Sequence, residues 1–173
     1  MSETASAAQA RRAAFTAKVE TETGIDEAMI ERLVRAFYVR VRADPLIGPV
    51  FEARIADWEP HLQRMFAFWS SVALMSGRYH GQPMAKHLPL AIDAHHFDRW
   101  LELFAQTARD LCPPVAAERF VELSKRIGES LELGLAGARG QLLAKGERLP
   151  PLAREAQDAD PAWTGAAAGA APT

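Results

Sequence analysis

Large apolar residues recur through most of this chain at the three- and four-residue steps of a helix, and most of its prolines fall between those runs. One run opens at Asp26, a residue type suited to an N-cap or a first-turn acid. It carries Met29, Ile30, Leu33, Val34, Phe37, Tyr38 and Val41 on one face. Asp44-Pro45 ends it, because a proline disfavours helical backbone in the residue before it. Residues 44–51 then hold two prolines and a glycine, which predicts a rigid corner rather than a strand. A second helix is predicted over about 57–76, capped by Asp57, with His61, Met65, Phe68, Trp69 and Val72 on its inward stripe. Two more are predicted over about 94–111 (Phe97, Trp100, Leu101, Phe104) and 115–138 (Phe120, Leu123, Ile127, Leu131, Leu135). Pro113-Pro114 separates them, and proline suits a helix's first turn. No stretch alternates with a strand's period, so the expected fold class is all-α.

Residues 81–90, Gly-Gln-Pro-Met-Ala-Lys-His-Leu-Pro-Leu, do not fit a plain bundle. Pro83 can open a helix, and Pro89 is expected to push Leu88 out of the helical region and close it about one and a half turns later. So short a helix is marginal by itself, and a mere connection needs only a few polar residues. The stretch instead brackets Met84, His87, Leu88 and Leu90, which implies that something docks there. A histidine at a helix end is ordinarily solvated, but the backbone of His87 is fixed and its neighbours are apolar. His61 sits among Met65, Phe68 and Trp69, where an unpaired ring nitrogen costs ~1–3 kcal/mol. Tyr38 and Trp100 bring a hydroxyl and an indole N–H to two further apolar faces. Such polar tips read either as core groups with partners or as the walls of a cofactor or small-ligand pocket.

The chain has 173 residues, 49% hydrophobic and 24% charged, with a formal net charge of −2. That length suits one domain, and the charge offers no surface for nucleic acid. No apolar run reaches the ~20 residues of a membrane span. The N-terminus has two arginines and several acids but no apolar signal core, so a cytoplasmic location is expected. The lone Cys112 supplies no internal disulfide and reads as a small buried hydrophobe. Residues 1–23 read as an extension forming a frayed helix, 24–140 as the domain, and 141–173 as a Pro/Ala-rich disordered tail, with Trp163 as its one docking point. His80, His95 and His96 are assigned to solvent, although Asp93-x-x-His96 has the look of a metal pair. Glu122, Glu129 and Glu132 are assigned to a solvent face.

Phe37-Tyr38, Gly48-Pro49-Val50-Phe51, Trp58-x-x-His61, Phe68-Trp69, Tyr79-x-Gly-Gln-Pro-x-x-x-His87 and Phe97-x-x-Trp100-Leu101 occur in this order and spacing. The series, spanning roughly residues 25–138, resembles the truncated haemoglobins of group III. The Gly-Gly pairs of groups I and II are missing, and the terminal extensions lie outside the resemblance. It implies a two-over-two helical sandwich around haem b, the helices from Asp26 and Asp57 forming one pair and those from Ala94 and Val115 the other. His87 is then the proximal iron ligand through Nε2, with its Nδ1–H donated to a backbone carbonyl and a five-coordinate iron left open opposite. The distal residues are Tyr38 and Trp100, donors to a polarised diatomic ligand, and His61, which bonds ligand or water or gates entry. Met65 presses over the ring, Phe51 stacks at its edge, and Arg64 is either a propionate partner or a plain surface charge. Phe68 (otherwise core, like Trp69), Met84, Leu88 and Phe97 complete the expected haem-binding set, and Trp58 staples a helix start.

Three functions follow. The first is reversible binding of O₂, NO or CO for storage, transport or sensing, with slow O₂ release. The second is haem-dependent redox chemistry, peroxidase-like or NO dioxygenation, which requires a separate reductase. The third is a non-haem helical interaction protein. No Glu-x-x-His supports a di-iron bundle. A monomer or weak homodimer is expected.

Overall fold

The structure is a computed structural model that describes residues 2–151, with side chains from residue 7 onward. Among the described residues every regular element is helical: α1 (Ser2–Thr23), α2 (Glu27–Ala43), α3 (Gly48–Glu52), α4 (Trp58–Leu74), α5 (Pro83–His87), α6 (Ala94–Leu111) and α7 (Pro114–Ala138).

The caps are where polar residues announce them. The Asp26 carboxylate accepts the Met29 N–H at 2.7 Å, and the seven apolar-face residues predicted for α2 are the ones it buries. Asp44 closes α2 and opens the corner as well. Its carboxylate accepts the N–H groups of Leu46 and Ile47, each at 3.0 Å, and receives Arg99 Nε at 2.7 Å. Asp57 caps α4 by accepting the Glu59 N–H at 3.2 Å. That helix stops at Leu74, two residues short of the expected Ser76. Met75 turns left-handed (φ 54°), and the Ser76 hydroxyl meets buried Ser70 at 2.6 Å.

The Asp93/His96 pair is a capping box and not a metal pair. Asp93 accepts the N–H groups of His95 and His96, and His96 Nδ1 lies 2.8 Å from its carboxylate. His96 is therefore mostly buried, against the expectation of solvent, whereas His80 and His95 are exposed.

Helix α6 packs most extensively on α7, and α2 packs on both α4 and α6, so the two expected pairs form. An aromatic column ties them together. Trp69 of α4 stacks on Phe104 of α6 at 4.5 Å between ring centres, and Trp100 stacks on Phe104 at 5.5 Å. Phe37 of α2 meets Phe104 edge-on at 5.1 Å, and Phe120 of α7 meets Trp69 at 6.1 Å. Offset and edge-to-face arrangements of this kind are the favourable ones for aromatic quadrupoles. Among the described residues the apolar interior comprises two clusters. The larger one fills the space among α2, α4, α6 and α7; the smaller one holds Ile92, Phe97, Leu135, Ala136 and Leu149.

Helix α1 and the segment after α7 both pack on the body. The second half of α1 docks through buried Val19, half-buried Phe15 and a 2.6 Å hydrogen bond from Thr16 Oγ1 to the Leu74 carbonyl. The segment 141–151, expected as the start of a disordered tail, is anchored by Leu149, which is 1% exposed. Glu132, expected on a solvent face, is 6% exposed and holds that segment by accepting Arg148 Nε at 2.8 Å and the Leu149 N–H at 2.7 Å. A buried carboxylate is retained only where donors compensate it, and here both come from the terminal segment. Trp163 and the rest of the expected tail lie outside the described residues.

Two glycine substitutions should separate tight packing from helix propensity. A Cβ at Gly48 would sit 3.0 Å from the Val41 carbonyl oxygen and 3.1 Å from that of Arg42, backbone atoms that cannot swing aside. Gly48→Ala should cost ~1–3 kcal/mol in urea unfolding. At Gly137 of α7 nothing lies within 4 Å, so Gly137→Ala should stabilise by ~0.5–1 kcal/mol in the same measurement.

Candidate functional site

Helix α5 is a five-residue turn with Pro83 at its start. Pro89 does not drive Leu88 out of helical space as expected. Leu88 stays at φ −50°, ψ −43°, its N–H donates to the Met84 carbonyl at 3.1 Å, and the turn closes when the Leu90 N–H donates to the His87 carbonyl at 2.9 Å. The pre-proline clash disfavours this conformation without forbidding it, and two backbone hydrogen bonds offset its cost.

The bracket is braced from outside. Arg54 Nη2 donates to the Pro89 carbonyl at 3.0 Å, and Met84 lays its terminal methyl where a Cβ of Gly134 would be. Upstream, the Tyr79 hydroxyl occupies the place of a Cβ at Gly81, its N–H donates to Ser71 Oγ at 2.8 Å, and its ring meets Phe68 at 5.2 Å. The Tyr-x-Gly spacing thus has a steric reason: only glycine lets the ring fold back.

Within the bracket His87 Nδ1 lies 2.8 Å from the Pro83 carbonyl oxygen, four residues earlier. A carbonyl can only accept, so Nδ1 carries a proton, and in the neutral form of the ring Nε2 keeps a free lone pair.

A second group of polar tips gathers elsewhere. Tyr38 of α2 and His61 of α4 meet at 5.0 Å between ring centres, nearly perpendicular. Phe51 of α3 lies 5.7 Å from Tyr38, and Trp58 lies 5.8 Å from both Tyr38 and His61. Trp58, expected only as a staple, backs this pair while its outer face carries the Arg42 guanidinium at 4.7 Å. Its three-residue offset from His61 is the signal, since i and i+3 share a helix face. Trp100 joins less directly: its ring meets Phe37 at 5.6 Å, and Phe37 in turn meets Tyr38 at 5.1 Å.

Electrostatics set the state of these groups. Burial alone pushes the Tyr38 phenol well above its ordinary value, with no hydrogen bond contributing, so it stays protonated and able to donate. Burial, then the positive charge of Arg64, lowers His61 to about 4. His61 Nε2 is buried and has no hydrogen-bond partner among the described residues.

Other expected members are scattered. Met65 and Phe68 are half-buried at the margin of the larger cluster, and Met84 and His87 are half-buried on α5. Leu88 is 46% exposed. Phe97 is buried in the smaller cluster. Arg64 is exposed and has no ion pair among the described residues. A surface hollow lined by Thr23, Val115, Glu118 and Lys125 contains none of these groups.

The all-α scaffold thus carries a histidine held through Nδ1 on α5, and elsewhere a buried tyrosine beside a histidine whose Nε2 has no partner among the described residues. The family described as bacterial-like globin matches residues 21–127. The group 3 truncated haemoglobin of Campylobacter jejuni is 35% identical over 88 residues, covering 48% of this chain and 69% of the relative. A group 2 truncated haemoglobin of Bacillus subtilis is 30% identical over 79 residues, covering 44% of this chain and 60% of the relative. The crystal structure of the group III truncated haemoglobin from Campylobacter jejuni superposes with a TM-score of 0.59 at 28% identity, covering 62% of this chain and 88% of that one. The chain belongs to the bacterial-like globins, as a truncated haemoglobin of group III. It is by family a haem-binding globin, and no helix of the described residues is long and apolar enough to cross a membrane.

The depressed His61 fixes the sign of a pH effect. The folded chain refuses a proton down to about pH 4, while the unfolded chain accepts one near 6.5. The contribution of His61 to stability is therefore fully present above about 6.5 and is lost as pH falls towards 4. Urea unfolding of the haem-free protein across that window should fall less steeply in His61→Gln than in the parent.

Proposed function

We propose that this globin holds haem b through His87 Nε2 and binds O₂, or another diatomic ligand such as NO or CO, reversibly on the side of Tyr38, His61 and Trp100. The hydrogen bond between His87 Nδ1 and the Pro83 carbonyl carries the reading, because it fixes the one tautomer that can bind iron through Nε2. Haem held there would supply an iron able to take up a small diatomic ligand.

The chain's own groups do the rest. The half-buried margin of the larger cluster, with Phe51, Met65 and Phe68, offers wall for a flat apolar group, and Met84, Leu88 and Phe97 offer more from α5 and α6. Arg64, exposed and unpaired among the described residues, suits a propionate carboxylate. The orphaned His61 Nε2 is a polar group that a folded core ordinarily satisfies, and a polar ligand beside the protonated Tyr38 would satisfy it. Tyr38 and Trp100 donate, so they hold a ligand whose outer atom is partly negative. His61, neutral at physiological pH, offers one N–H and one lone pair and serves either ligand or water.

Reversible binding is favoured over peroxidase-like turnover or NO dioxygenation by the partner of His87. A neutral backbone carbonyl on Nδ1 leaves the imidazole less basic than a carboxylate would, and a basic proximal ligand is what promotes O–O cleavage. Redox turnover also requires a separate reductase.

Purified protein should take up one equivalent of hemin with a Soret band. His87→Gly should lose that band and regain it with added imidazole. Tyr38→Phe should release O₂ about ten- to a hundredfold faster in stopped-flow measurements. An unchanged release rate would remove Tyr38 from the ligand's surroundings.

A further inference from the structure

The family match ends at residue 127, yet the chain beyond it touches the stretch that leaves His87 from two directions. Arg139, just past α7, points Nη2 at the Leu90 carbonyl (3.1 Å) and at the Ile92 carbonyl (2.9 Å). Its Nη1 is buried without a partner among the described residues, so the side chain is committed to those two carbonyls. The segment then folds back. The Leu149 carbonyl accepts the Ala94 N–H at 3.0 Å, at the first residue of α6, while its side chain fills the smaller cluster beside Ile92 and Phe97.

The fold-back is fastened by charge. Arg148 donates Nε to buried Glu132 at 2.8 Å and Nη2 to Asp98 of α6 at 2.7 Å, and Glu132 also takes the Leu149 N–H. Residues 90–94 are thereby gripped at Leu90, Ile92 and Ala94 by one strap. The stretch begins three residues after His87 and is tied to it by the Leu90 N–H on the His87 carbonyl. Helix α5 is too short to hold itself, so its orientation depends on what holds its exit.

We propose that Arg139 and the strap 140–150 are positioning elements for His87, a proximal brace lying beyond the family match that slows haem loss. The inference rests on His87 being the haem ligand. The brace acts on the backbone that carries the imidazole and touches no ligand.

The test uses the full-length haem-loaded chain, with hemin transfer to excess apomyoglobin followed by absorbance and amide exchange read at Leu90 and Ala94. Arg139→Met and, independently, Arg148→Met should accelerate transfer about tenfold, the scale of losing a hydrogen bond to a charged group. Both should raise exchange at Leu90 and Ala94 and leave α2 protected. Arg139→Lys, which can still donate to one carbonyl, should recover most of the loss. Transfer at the parent rate in both methionine variants overturns the brace while leaving the haem assignment intact. Acceleration matched by loosened α2 amides overturns it too, since that signals general destabilisation. A parent chain that takes up no hemin overturns the His87 assignment and the brace with it.

Discussion

The proposed haem chemistry depends on one hydrogen bond, the 2.8 Å contact between His87 Nδ1 and the carbonyl of Pro83. It lies within a single turn of helix, so its geometry is set by the same few dihedrals that set the direction of the ring. The prolines make that turn stiff: Pro83 has no N–H to satisfy and a preset φ, and Pro89 limits what Leu88 can do. The result is a histidine with its proton committed inward and its other nitrogen bare. Isolated, so short a helix would be marginal, and Arg54, Gly134 and the terminal strap supply from outside what it lacks in length.

The aromatic group around Tyr38 follows from a different constraint. Tyr38, His61 and Trp58 are packed by aromatic edges, which fixes their rings without using their polar atoms. In a plain core that arrangement would be a loss, because a buried nitrogen without a partner is destabilising. It becomes useful where a ligand brings the missing partner. The stacked column of Trp69, Phe104 and Trp100 joins α4 to α6, and Phe37 links it edge-on to Tyr38.

Much of this is legible in the residues. The period of α2 defines its buried face, and the proline bracket singles out His87, because both signals are local. What the residues hide involves distant partners. Glu132 sits on a helix with charged neighbours and looks solvated, and its partners Arg148 and Leu149 lie sixteen and seventeen residues on, in a polar stretch whose lone buried leucine shows no period. The Asp93/His96 pair has the spacing of a metal site and the geometry of a capping box, and only the backbone N–H directions separate them. Leu88 shows that a residue-level rule about proline is a preference that two backbone hydrogen bonds outweigh.

The most direct test of the account is the protonation pattern of His87 in the haem-free protein, read from long-range ¹H–¹⁵N correlations at neutral pH. The Nδ1–H tautomer is expected, with Nε2 unprotonated, together with loss or large displacement of the His87 signals on adding one equivalent of hemin. An Nε2–H tautomer, or ring signals that hemin leaves in place, would contradict it.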